Sequence, residues 1–134
     1  MRASRVASRS HAERGAAVVE FALVVMLFLM LLVAVLEGGR LFIMQASLGS
    51  AARDAARVMA INADDAATQA AARADAAFAF GTPVWDSANS VACPSTPDPD
   101  ASAVVSLTYP TGMMTGFWPV TFTLRGTGAM RCNG

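Results

Sequence analysis

Residues 16–36 read AAVVEFALVVMLFLMLLVAVL, twenty-one residues with a single charge, Glu20. A helix needs roughly 20 apolar residues to cross the hydrocarbon core of a bilayer. No other stretch restricts the fold so strongly: the run predicts one membrane-spanning helix, and the remaining chain must fold outside it. Apolar residues make up 54% of the 134-residue chain, above the globular norm, and the excess is concentrated here.

The charges sort themselves around this segment. Arg2, Arg5, Arg9 and Arg14, with His11, precede it and face one acid, Glu13. That asymmetry predicts a cytoplasmic N-terminus. Loss of residues 1–15 would leave six arginines facing nine carboxylates, with no basic patch after the span, so nucleic acid is not an expected partner. A removable secretory signal fits less well. The uninterrupted part, residues 21–36, exceeds a usual h-region, and the LEGGRLFIM after it lacks an A-x-A-like cleavage site.

Along the chain, residues 1–15 read as a short polar leader without structure. Beyond the span, Leu41, Met44, Leu48, Ala52, Ala55 and Met59 recur every three or four residues, while Arg53, Asp54 and Arg57 occupy another sector. This predicts an amphipathic stalk helix over 37–61. Gly38 and Gly39 each cost about 1 kcal/mol of helix propensity and allow a bend, but no proline forces a break. A continuous helix of about 45 residues would be near 68 Å long. Asn62, Asp64 and Asp65 offer a cap for a second, alanine-rich helix, ATQAAARADAAFAF, stopped by Gly81 and Pro83. Its apolar face is thin, so it needs packing on the stalk or on the region C-terminal to it.

From Thr82 onward proline, serine and aspartate mark a loop. AVVSLTY then puts Val105, Leu107 and Tyr109 on one face, and PVTFTLR does the same with Val120, Phe122 and Leu124, a period of two that predicts half-buried strands. The expectation is a small antiparallel sheet covering one side of a helix, joined by PTGMMTGFW, which is too long for a tight turn. Cys93 and Cys132 bracket it. Two cysteines in a small extracytoplasmic domain usually pair, and closing about 40 residues would contribute roughly 4 kcal/mol in the chain-entropy model. The alternative is two free thiols; no CxxC-type spacing suggests a metal or redox role. Met113, Met114, Phe117 and Trp118 form an apolar knot that serves either as a partner-binding patch or as core under the sheet.

Glu20 has two readings. A carboxylate near the end of a span can reach the headgroups. Deeper, an unpaired ionised group costs at least a few kcal/mol, and the span holds no lysine or arginine. Cleavage between Gly15 and Ala16 supplies a partner: Ala16 gains an ammonium, Glu20 becomes the fifth residue, and a neighbouring subunit shifted along the axis brings its own ammonium to that carboxylate.

Basic leader, Gly15 at the boundary, Glu20 at the fifth position and Phe21 at the sixth resemble the type IV prepilin processing signal of tight-adherence (Flp) pilus systems. The residues from the span onward are similar to TadE-like pseudopilins: Glu37, Gly38, Gly39 and Arg40 after the span, Gln45 shortly beyond, and AARDAAR at residues 51–57. The ending VTFTLRGTGAMRCNG also looks like that family's cysteine-bearing strand. The resemblance is strong over residues 14–60 and loose beyond. Major Flp pilins are shorter and often carry tyrosine after the glutamate, so Phe21 and the large extramembrane part favour a pseudopilin.

The resemblance implies a minor pilin-like subunit, cut after Gly15 by a prepilin peptidase and working with other pilin subunits and the inner-membrane assembly platform. It would lie in the bacterial inner membrane with its C-terminal domain periplasmic. The organisation expected is a leader (1–15), a span (16–36), a stalk helix (37–61) and a small α+β domain (62–134). No cofactor, metal or small-molecule substrate is expected. An enzyme fits poorly, because the sole histidine lies in the leader and no nucleophile elbow or phosphate loop is present. The competing reading is an uncleaved single-span envelope protein, TadF- or TadG-like, whose periplasmic domain binds a partner or the cell wall.

Overall fold

The computed structural model describes residues 6–61, 66–96, 98, 100–114, 116 and 119–132, with side chains from residue 15 onward. The chain is α+β, in the order α1 (Val6–Ile61), α2 (Ala66–Ala77), β1 (Val84–Trp85), β2 (Ser102–Gly112) and β3 (Thr121–Arg131). It divides into two units, Met1–Gly38 and Gly39–Gly134.

The first unit is helix throughout its described part. The leader, expected to lack structure, is helical from Val6. Residues 6–14 contain neither proline nor glycine, and alanine, arginine and glutamate extend a helix once the apolar segment has nucleated it. The large apolar side chains of the span are exposed on this helix, and none of the described residues buries its most apolar window. One long apolar N-terminal helix points to single-pass membrane anchoring.

In the second unit α1 continues, with Gly39 inside it and no break. Met44, Leu48, Ala51, Ala52, Ala55, Ala56 and Met59 are buried, while Arg53 and Arg57 are exposed. The face is the one that the apolar period predicts, widened by Ala51 and Ala56. α2 contributes Ala70, Ala74 and, one turn on, Phe78 to the same core, and Arg73 pairs with Asp54 of α1 at 3.6 Å. The thin alanine helix is thus held on the stalk and on the sheet together. Its expected cap, Asn62, Asp64 and Asp65, lies outside the described residues.

The sheet is antiparallel in the order β1-β2-β3. Its two main strands run past the segments that the alternation predicts. β2 continues through Pro110 to Gly112, and β3 begins at Thr121 and continues through Gly126 and Gly128 to Arg131. The proline is tolerated for a simple reason. Val104 exchanges both backbone bonds with Val91, and Ser106 O accepts from Asp86 N, so the even-numbered residues of β2 turn their amides to the β1 side. β1 starts opposite Thr108, which leaves the missing N–H of Pro110 on an open edge where no ladder bond is lost. β1 and the Val91 bridge are too short for any periodicity to reveal.

Val105 and Leu107 point from β2 into the core beside Leu48. Tyr109 lies edge-on to Phe78, with ring centroids 4.9 Å apart, and its hydroxyl donates to Phe80 O at 2.8 Å. Gly81 turns the chain here with φ 137°, and a Cβ on it would stand 3.0 Å from that hydroxyl. Cys93 and Cys132 form a disulfide, and Cys132 N donates to Ala101 O, so the bridge closes the N-terminal end of β2.

Candidate functional site

Two groups of residues carry the functional argument, one in each unit. In the first, Gly15, Ala16, Glu20 and Phe21 all lie exposed on α1. Among the described residues no ion pair reaches Glu20. A Cβ added to Gly15 would meet open space, as it would at Gly38 and Gly39. Packing among the described residues therefore gives no reason for glycine at position 15, inside a helix where it costs about 1 kcal/mol. Glu37 is half-buried, and Gly38 is exposed.

In the second unit, Arg40 and Gln45 attach the start of the stalk to the sheet. Arg40 Nη1 donates to Gly112 O at 3.1 Å and Nη2 to Thr111 Oγ1 at 3.4 Å, which fixes the closing end of β2. Gln45 Nε2 donates to Arg125 O at 2.6 Å. Odd-numbered residues of β2 face β3 and pair with its even-numbered ones, so the Arg125 carbonyl points away from the ladder, at the outer edge of the sheet. Gln45 occupies an outward acceptor that an edge strand otherwise leaves to water or to another strand.

The AARDAAR segment has a geometric purpose. Gly126 and Gly128 of β3 face α1 so closely that a Cβ on Gly126 would lie 2.6 Å from Leu48 O, and one on Gly128 would overlap the Ala52 carbonyl. Backbone meets backbone because both sides are small: alanine at 51, 52, 55 and 56 on the helix, glycine on the strand. On the opposite face of the sheet Arg125 of β3 reaches Asp86, after β1, at 3.4 Å, an ion pair that straddles β2.

Of the residues singled out from sequence, Cys93 and Cys132 come together as a disulfide, and Arg40 and Gln45 both engage the sheet. Met114 is 77% exposed and so is not core, whereas Phe117 and Trp118 lie outside the described residues. The contacts of Arg40 and Gln45 cross 71 to 80 positions of sequence, and no local pattern signals them. Pairing with Gly126 and Gly128 has one visible trace, two glycines spaced by two in a strand, the mark of a close backbone approach.

In a comparison with protein families, the model for TadE-like protein matches residues 15–57, consistent with a TadE-like protein of the Tad pilus system. The matched segment takes in Gly15, Glu20, Arg40, Gln45 and the close-packed alanines, and ends before the sheet. No curated protein matches the chain, and no solved structure does.

Proposed function

We propose that this TadE-like chain is a minor pilin-like subunit that helps assemble a tight-adherence pilus from the bacterial inner membrane. In this reading the leader faces the cytoplasm, a prepilin peptidase cuts after Gly15, residues 16–36 span the membrane, and the sheet-bearing unit is periplasmic. The observation that carries it is that, among the described residues, Gly15 meets no packing and Glu20 no ion pair on an exposed apolar helix. Among the described residues neither has a packing or ion-pair role, which supports a role in contacts outside the chain.

Each part has a physical rationale. A peptidase needs an extended backbone, and Gly15 is the sole glycine before residue 38, the point where helix opens most cheaply. After the cut Glu20 sits in the first helical turns, where the positive end of the helix dipole favours a carboxylate. The new Ala16 ammonium of a neighbouring subunit then completes the charge in a medium of low dielectric. The subunit works by packing rather than catalysis, and the mature chain retains no histidine. Its partners are other pilin subunits and the assembly platform.

The deciding experiment is the intact mass and N-terminal sequence of the protein isolated from membranes of cells holding the cognate peptidase. The expected terminus is Ala16. A chain still starting at Met1 would overturn the processing step and leave a permanently anchored TadF- or TadG-like envelope protein.

A further inference from the structure

The end of the sheet-bearing unit nearest residue 39 is built from two chain segments that Arg40 ties together. Its guanidinium holds Gly112 O and Thr111 Oγ1, so the closing end of β2 lies beside the first turn of this unit's helix. Apolar side chains are exposed at this end: Phe42 by 73%, Met114 by 77%, with Ile43 and Val120 less so. A soluble surface rarely gathers such residues without something to cover them. Arg40 and, one turn before it, Glu37 are the charges in residues 37–52, and residues 101–124 carry none.

We infer that this end lies in the headgroup layer of the membrane that residues 16–36 cross, with Phe42, Ile43, Met114 and Val120 in the interface and Arg40 reaching anionic headgroups. The inference rests on the spanning role of residues 16–36. Arg40 follows Leu36, the last residue of the apolar run, by four positions, which on the helix α1 is about 6 Å of rise. Headgroup layers add roughly 5–8 Å on each side of the hydrocarbon. Exposed apolar groups around Arg40, with Glu37 one turn before it as the one carboxylate in residues 37–52 and 101–124, suit that layer. The unit is then held at the bilayer by its helix and by its hairpin, and must shed the second attachment to move away from the lipid.

The test uses the whole chain, reconstituted in phosphatidylcholine vesicles with and without phosphatidylglycerol. A bimane probe is placed through Met114→Cys, Thr127→Cys or Val35→Cys, one at a time, leaving the disulfide intact. Doxyl-labelled lipid and iodide, the latter on both sides of the membrane, serve as quenchers. The probe at 114 is expected to lose most of its emission to doxyl lipid and little to iodide, more strongly with phosphatidylglycerol, while 127, exposed on β3, behaves oppositely. Iodide quenching at 114 equal to that at 127, with 35 still quenched by lipid, overturns the inference and spares the span. Shielding of 114 from both quenchers also overturns it, because protein then covers this end. If 35 escapes lipid quenching, the span and the inference fall together.

Discussion

Gly128 of β3 and Ala52 of α1 meet backbone to backbone: a methyl group on the glycine would overlap the alanine's carbonyl. Replacing Gly128 with alanine therefore forces strand and helix apart. The expected loss is about 1–3 kcal/mol, the usual cost of overpacking a closed core, read by chemical unfolding in detergent. Ala52→Gly does not rescue it, because the atoms in the way are main-chain. Rescue by Ala52→Gly would mean that the contact is made by side chains.

The disulfide gives a second prediction. Cys93 and Cys132 are 39 residues apart and border a core made largely of alanine. Replacing both with serine is expected to lower stability by about 4 kcal/mol in the chain-entropy model. Thiol labelling of the unreduced protein should find nothing to react with; quantitative labelling of both positions would contradict the bridge.

Ser106 makes a prediction of the opposite sign. It is fully buried, and among the described residues its hydroxyl has no partner. Its backbone N–H is served by Ser90 Oγ at 3.0 Å. An unsatisfied buried hydroxyl costs about 1–3 kcal/mol, so Ser106→Ala is expected to leave the unfolding midpoint unchanged or raise it. A clear drop would reveal a hydrogen bond at that oxygen.

Arg40→Ala removes two hydrogen bonds at the closing end of β2. Because the site is largely open to water, the loss in global stability is expected to stay near 1 kcal/mol. The specific effect is local: amide exchange should quicken at residues 111–114 and 121–123 and stay unchanged around the disulfide. Uniform quickening across β2 and β3 would make Arg40 a general stabiliser and not a clamp on one end.

Processing and assembly separate in two variants. Gly15→Val should block maturation in cells with the peptidase, while unfolding of the sheet-bearing unit stays as in the parent, since a side chain at 15 meets open space. Glu20→Gln should still be cut but assemble poorly. Normal piliation with both variants would remove the proposed role.

The stalk face is legible in the sequence because burial follows the helical period: Met44, Leu48, Ala52, Ala55 and Met59 are all in the core. The strands are legible in place but not in length. Pro110 and the Gly126–Gly128 pair read locally as strand ends. Pro110 is harmless because its missing N–H falls on the open edge, and the glycines are needed because a helix passes over them. Both reasons are tertiary. The same holds for Arg40 and Gln45, which a family motif marks but whose acceptors lie more than 70 residues away. The helical leader escapes a reading by charge, which suggests a solvated coil, whereas its residues propagate a helix readily.

The covalent ring between Cys93 and Cys132 also sets how the unit answers to pulling. Tension that enters along α1 and leaves near Cys132 crosses the sulfur–sulfur bond and bypasses β2 and β3. The 38 residues inside the ring, about 130 Å of contour if drawn straight, cannot be paid out. A subunit loaded in this way stays short and stiff, and lengthens only where α2 and the segment before Cys93 peel from the helix.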